Sequence, residues 1–265
     1  MQDLRISIVQ TDLVWEDTEK NLNNFDEKLS YLKDNTDLIV LPEMFNTGFS
    51  MNPKKCAETI DGKTLKWLKT KTKELNSIIV GSILISEEKK YFNRLILMRP
   101  DGSFEQYDKR HLFRLAEEYV LYTDGKKKII ADVHDWKICP LICYDLRFPV
   151  WSKNTYHETS GYEYDCLIYV ANWPKSRSFA WESLLVARAI ENQAYVIGVN
   201  RIGNDGNSVP HSGLSVVLDF KGKPICTLPE NEEFVKTILI SKKELDKFRN
   251  QFTVGMDWDL FDIKV

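Results

Sequence analysis

Three polar residues stand where apolar, strand-like runs end. "DLIVLPEMF" carries four apolar residues into Pro42-Glu43, "FEQYDKRHLF" places Lys109 just after a strand-like segment, and "WKICPLICYDLRFPVW" ends its buried run at Cys143, followed by Tyr144, Asp145 and Arg147. A thiol, a carboxylate and an ammonium are the groups a cysteine amidohydrolase needs when it uses no histidine base. A thiol of pKa near ~8.5 is mostly protonated at neutral pH and attacks a carbonyl poorly. A carboxylate can take its proton, and an ammonium can stabilise both the thiolate and the later oxyanion. Each residue also has a plain structural reading. Glu43 could accept backbone N–H bonds from the next turn, Lys109 could form a surface ion pair worth about 0–1 kcal/mol, and Cys143 could be a small core residue. Order along the chain does not bring the three together in space.

The elements that must position them are strands and amphipathic helices. "RISIVQ", "DLIVLPE", "SIIVGSILI", "RLILMRP", "KIIADV", "KICPLIC", "DCLIYVAN", "AYVIGVNR", "LSVVLDF" and "FVKTILI" read as strands, several of them unbroken β-branched or aliphatic runs that suit burial on both faces. Asp17 is the expected N-cap of a helix whose Leu22, Phe25, Leu29 and Leu32 share one face. Further helices are expected from Thr64 to Leu75, after Pro174 in "SFAWESLLVARAIENQ", and after a capping box formed by Ser241 and Glu244. About ten strands and four or five helices, with no linker or repeat, predict one α/β domain over residues 1–265 in which two packed sheets lie between helices.

Composition narrows the function. A net charge of −3 excludes the concentrated basic face that nucleic acid requires. No apolar stretch approaches the roughly 20 residues of a membrane-spanning helix, and "MQDLRISIVQ" reads as an immediate β-strand and not as a targeting segment. Five cysteines, an odd number at irregular spacing, suggest free thiols in a reducing cytoplasm. Cys139 and Cys143 would lie about 13 Å apart along one strand at ~3.3 Å per residue, too far for a disulfide. No His pair at i, i+4 and no Cys-x-x-Cys suggests a metal site, and none of the four histidines sits in a cysteine-protease pattern.

"LPEMFNTGFS", "YDKRHLF" and "ICYDLRFPVW", in this order and with these separations, resemble the three signature segments of the nitrilase, or carbon–nitrogen hydrolase, superfamily. The downstream run "ANWPKSRSFAWESLLVARAIENQAYVIGVNRIG" is similar to it as well, and resembles most closely the ω-amidase-like branch. The resemblance implies a four-layer α-β-β-α sandwich that assembles as a homodimer or higher homo-oligomer, and chemistry that needs neither cofactor nor metal. It implies a Glu-Lys-Cys triad of Glu43 as general base, Cys143 as nucleophile, and Lys109 with the backbone N–H of Tyr144 as oxyanion donors. A second glutamate is implied after the lysine motif. Glu118 in "FRLAEEYVLY" is the better match, although Glu117 precedes it where a small residue is expected; Glu118 should face inward and Glu117 outward. Trp173 of "ANWP" is expected as a pocket wall, Arg147 as a residue that holds the loop after the nucleophile through backbone carbonyls, the favoured reading, or that meets substrate, and Arg177 or Arg201 as the partner of a substrate carboxylate.

The implied reaction is hydrolysis of a small linear amide to acid and ammonia through a cysteine thioester. The expected substrate is the ω-amide of a dicarboxylic or keto acid such as 2-oxoglutaramate or 2-oxosuccinamate. Within the superfamily the alternatives are N-carbamoyl or aliphatic amide hydrolysis and nitrile hydrolysis. Outside enzymology the alternative is a non-catalytic dimeric interaction protein.

Overall fold

Strands whose two faces are both covered carry apolar residues at every position, and here alternate residues of the same strand feed two different cores. The computed structural model describes residues 2–265. It contains strands β1 (Leu4–Gln10), β2 (Leu38–Val40), β3 (Ile78–Glu87), β4 (Lys90–Met98), β5 (Phe104–Asp108), β6 (Ala131–Val133), β7 (Trp136–Ile142), β8 (Tyr156–His157), β9 (Gly161–Tyr162), β10 (Cys166–Ala171), β11 (Tyr195–Asn200), β12 (Ile202–Asn204), β13 (Pro210–Ser212), β14 (Val216–Leu218), β15 (Pro224–Thr227) and β16 (Phe234–Ile240). The helices are α1 (Thr18–Leu29), α2 (Pro53–Cys56), α3 (Lys63–Leu75), α4 (Glu118–Leu121), α5 (Pro149–Ser152), α6 (Ser178–Asn192) and α7 (Lys242–Gln251).

One six-stranded sheet has the order β16-β1-β2-β3-β4-β5 and the other β15-β14-β11-β10-β7-β6. Parallel pairs at the centre of each (β1–β2–β3 and β7–β10–β11) are flanked by antiparallel ones. Leu4, Ile6 and Ile8 of β1, Leu38 and Val40 of β2, Val80 of β3, and Leu95 and Leu97 of β4 share the central core with Ile138, Ile168 and Ile197 of the second sheet. Ile39, Ile79, Ile96 and Met98, on the opposite face, pack instead under Leu22, Phe25 and Leu29 of α1 and Leu65, Leu68 and Leu75 of α3. Trp181, Leu185 and Ala189 of α6 and Leu245 of α7 cover the far side of the second sheet. The result is the expected α-β-β-α order of layers, and its strand count exceeds the sequence reading because β5 and β15 join the sheets and the two-stranded ribbons β8–β9 and β12–β13 lie outside them.

Asp17 caps α1 as expected, accepting from the Lys20 N–H at 3.1 Å. Ser241 does precede α7, but its side chain makes no cap; the hydroxyl donates to Asp3 at 2.8 Å, a tertiary partner that outcompetes the local one. "KIIADV" contributes only Ala131–Val133 to a strand. Among the described residues no helix is long and apolar enough to cross a membrane.

Candidate active site

The three polar strand ends meet at one edge of the gap between the sheets. Glu43 lies three residues beyond β2 in a turn stapled to β3: the Met44 N–H donates to Ser82 Oγ at 2.9 Å and the Phe45 N–H to the Ser82 carbonyl at 3.1 Å. Gly81 is required there, since a Cβ would sit 2.8 Å from the Phe45 ring. Lys109 follows β5, its N–H donating to the Asn93 carbonyl of β4 at 2.9 Å. Cys143 follows β7 as the first residue of a 3₁₀ turn, Cys143–Arg147, with φ of +41°. A non-glycine residue in that region stores about 1–3 kcal/mol of strain, and the surroundings must hold it there.

Asp145 supplies much of that hold. Its buried carboxylate accepts from the Ile142 N–H at 3.0 Å, the His111 N–H at 3.0 Å and the Tyr107 hydroxyl at 2.7 Å, with His111 Nδ1 at 2.8 Å. It therefore ties the turn of Cys143 to the loop of Lys109. Arg188 of α6 adds a bond from Nη2 to the Leu146 carbonyl at 2.6 Å.

Lys109 Nζ stands 2.9 Å from Glu43 Oε1 and 2.9 Å from Glu118 Oε2, with all three side chains buried. Glu43 also accepts from Asn93 Nδ2 at 2.8 Å and from the Asn172 N–H at 2.8 Å. Glu118 accepts from the Phe113 N–H at 2.6 Å. Glu117 adopts φ of +55° and is exposed, and this reversal turns Glu118 inward, as the sequence reading expects. Burial opposes charge on Lys109, but the Glu118 and Glu43 carboxylates outweigh it and hold the ammonium protonated, above its ordinary range. Burial pushes the Glu118 carboxyl up; the Lys109 ammonium opposes this and the Glu43 carboxylate adds to it. Burial and then the Glu43 carboxylate push the Cys143 thiol well up, against the pull of Lys109. The resting nucleophile is a thiol, and its proton must leave as it attacks.

Glu43, Lys109 and Cys143 line a cavity of about 230 Å³ whose wall includes Phe49, Met51, Tyr144 and Trp173, and Glu118 is not among its lining residues. Trp173 is where the sequence reading expects it. Tyr144 occupies the first turn of the 3₁₀ segment, where backbone N–H groups lack intrahelical partners. Two arginine expectations need correction. Arg201 is fully buried away from the cavity, its guanidinium donating to the carbonyls of Ile202 at 2.8 Å and Asn204 at 3.1 Å and to Asp12. Arg147 was expected to hold backbone carbonyls; it lines the cavity instead, with its Cζ 4.8 Å from the centre of the Trp173 ring. Arg177 also lines the cavity. Sequence reading missed Asn93 and Asn172, the neutral partners of Glu43, and His211 in the wall. Burial, and then the Arg201 charge, push His211 down to about 4, so it is neutral; its Nδ1 lies 2.9 Å from the Val209 carbonyl and no hydrogen bond joins it to Cys143.

Comparison with known proteins places this arrangement. The family model described as carbon-nitrogen hydrolase matches residues 5–250. The chain is 41% identical over 261 residues to "Omega-amidase YafV" of Escherichia coli (strain K12), covering 98% of this chain and 99% of that one. It is 30% identical over 234 residues to "2-oxoglutaramate amidase" of Bacillus subtilis (strain 168), covering 87% and 88%. Its fold superposes with a TM-score of 0.97, at 40% identity and over 100% of both chains, on XC1258 from Xanthomonas campestris, a CN-hydrolase superfamily protein with an arsenic adduct in its active site. The Saccharomyces cerevisiae nitrilase-superfamily protein Nit3 gives a TM-score of 0.83 at 26% identity, over 95% and 94% of the chains. With its two-sheet fold and the family model matched over nearly its whole length, the chain belongs to the carbon–nitrogen hydrolase family and is an amidase acting on C–N bonds.

Proposed function

We propose that this protein is an ω-amidase that hydrolyses the terminal amide of a dicarboxylic or keto acid, such as 2-oxoglutaramate or 2-oxosuccinamate, with Cys143 as nucleophile. The observation that carries the reading is the buried Lys109 ammonium held between Glu43 and Glu118 beside Cys143 at the floor of a small cavity. The similarity to ω-amidases and 2-oxoglutaramate amidases supports the substrate class.

In the first half-reaction Cys143 Sγ forms a bond to the amide carbon while its proton passes to Glu43. The oxyanion that develops is met by the Lys109 ammonium and the Tyr144 N–H, in a site where buried charges act strongly. The C–N bond then breaks, Glu43 returns the proton to the nitrogen, and ammonia leaves a thioester on Cys143. In the second half-reaction Glu43 takes a proton from water as its oxygen attacks the thioester carbon. The C–S bond breaks, the acid is released, and the proton returns to sulfur. Glu118 holds Lys109 in place, its two carboxylate oxygens accepting from Nζ at 3.1 and 2.9 Å.

The whole chain acts as one catalytic unit, a reading supported by site residues drawn from both sheets. Free cysteines, four of the five buried, fit a reducing cytoplasm. Exposed Val150, Phe179 and Ile190 on α5 and α6 support a homo-oligomer joined through this helical layer. Ammonia release from 2-oxoglutaramate, and its loss in Cys143→Ala, tests the proposal, with intact mass of quenched turnover reporting the acyl adduct on Cys143. A folded wild type that is silent on amides, carbamoyl compounds and nitriles would refute it.

A further inference from the structure

Arg188 sits on the inward face of α6 and is only 3% exposed, far from the bond-breaking groups in sequence and outside the cavity wall. Its Nη1 donates to Glu191 at 2.9 Å and its Nη2 to the Leu146 carbonyl at 2.6 Å, while Nε has no partner. Glu191, its one carboxylate, is 36% exposed, so water screens the pair. A buried guanidinium with one orphaned N–H and a half-solvated counter-ion holds a fold together no better than a packed apolar side chain of the same volume. What distinguishes Arg188 is its other acceptor.

Leu146 belongs to the 3₁₀ turn Cys143–Arg147, whose first residue is the nucleophile and whose second carries the N–H assigned to the oxyanion. A turn this short leaves polar groups at both ends to find partners elsewhere. At its start, the Asp145 carboxylate accepts from the Ile142 N–H at 3.0 Å, and the strained Cys143 backbone is held there. At its end, the Leu146 carbonyl lies in a fully buried residue and accepts a charge-assisted bond from Arg188. The helix that carries Arg188 is itself fixed. Trp181 Nε1 donates to the Leu214 carbonyl at 2.9 Å, and Asn192 Oδ1 accepts from the Asn154 N–H at 2.8 Å while its Nδ2 donates to the Arg188 carbonyl at 2.9 Å. The turn is thus clamped at its start by a carboxylate of its own and at its end by a guanidinium from a rigid helix.

We propose that Arg188 is a positioning residue for the oxyanion site: by holding the Leu146 carbonyl against α6 it sets the pitch of the 3₁₀ turn and so the direction of the Tyr144 N–H. The proposal rests on the amidase reading above and adds to it a residue that never touches substrate. When Arg188 is removed, Asp145 still anchors the Cys143 end. The thiol keeps its place, and the oxyanion donor loses its aim.

The test sets two reactions of Cys143 against each other in the full-length protein. Hydrolysis of succinamate, a four-carbon ω-amide, needs the oxyanion donor. Alkylation by iodoacetamide at fixed pH does not, since sulfur displaces iodide at a saturated carbon. Arg188→Met is expected to lower kcat for succinamate about 30-fold, as loss of aim at an oxyanion donor does. KM and the alkylation rate should each stay within about threefold of wild type. Arg188→Lys, a single point charge that cannot reach both acceptors, should lose about fivefold in kcat. Millimolar guanidinium added to Arg188→Ala should restore kcat at least about fivefold and leave wild type unchanged. A kcat loss below about threefold in Arg188→Met overturns the proposal and leaves the amidase reading standing. So does a parallel fall of hydrolysis and alkylation in Arg188→Lys, the variant that retains the charge if Arg188→Met does not fold. A folded wild type that hydrolyses no amide overturns both readings.

Discussion

Glu118→Gln separates the catalytic from the structural value of the buried charge cluster. Lys109 Nζ is 2.9 Å from Glu43 Oε1 and 2.9 Å from Glu118 Oε2. The two carboxylates therefore lie within about 6 Å of each other, and at an effective dielectric of about 20 they repel by about 3 kcal/mol. When Glu43 takes the Cys143 proton, that repulsion is relieved. With glutamine at 118 there is nothing to relieve, and Glu43 keeps the ammonium to itself. A barrier higher by up to about 3 kcal/mol lowers kcat/KM by about 100-fold. Stability follows a different rule. Burial raises the Glu118 carboxyl above its ordinary value, against Lys109 and with Glu43. A carboxyl raised on folding contributes stability at low pH that is lost as pH rises from the ordinary carboxylate range through the folded value. Once ionised, the side chain thus weakens the fold, and glutamine removes that cost. Against this gain, the single amide oxygen cannot accept from both the Phe113 N–H and Lys109 as the carboxylate does. The two effects oppose, and the melting temperature at pH 7.5 should stay within about 3 °C of wild type, about 1 kcal/mol for a chain of this size. The melting temperature of the variant should also fall less steeply than that of wild type as pH rises above the ordinary carboxylate range. The assay is ammonia release from succinamate beside thermal melting at several pH values. An activity loss below about threefold would refute the reasoning. So would a melting-temperature drop of about 10 °C or more, with activity following the folded fraction.

Three other perturbations address the rest of the site. Asp145→Asn removes the carboxylate that joins the Cys143 turn to the Lys109 loop, turning an N–H₂ group toward donors; a cost of about 2–4 kcal/mol, or about 5–15 °C, is expected in thermal melting, with activity reduced even in the folded fraction. Arg201→Met leaves the buried Ile202 carbonyl and the Asn204 carbonyl without this donor; it should lower the melting temperature by at least about 6 °C while the KM for succinamate stays within about threefold. Because burial is the largest cause raising the Cys143 thiol, alkylation of Cys143 by iodoacetamide in a Glu43→Gln variant, which lacks the second cause, should remain slow at pH 7 and accelerate only as pH climbs above the ordinary thiol range; fast alkylation at pH 7 would show that the thiolate is preformed.

The sequence by itself determined the layers. Leu38, Ile39 and Val40 of β2 and Ile78, Ile79 and Val80 of β3 are apolar at every position because one face meets the second sheet and the other meets α1 and α3. It also marked Glu43, Lys109 and Cys143, because a polar residue at the end of a buried strand is conspicuous against its neighbours. The Glu118 expectation worked for a local reason: the reversal at Glu117 and the bond to the Phe113 N–H involve only residues a few positions away. What the sequence left open were choices made by distant partners. Asn93 and Asn172 reach Glu43 from 50 and 129 residues along the chain, and no period or spacing announces an amide that will meet a carboxylate in the interior. Arg177 and Arg201 carry the same side chain near the ends of similar strands and turns. Only the packed structure sends one to the cavity wall and seals the other among the carbonyls of Ile202 and Asn204, because a guanidinium's role depends on which acceptors the assembled sheets bring within its reach.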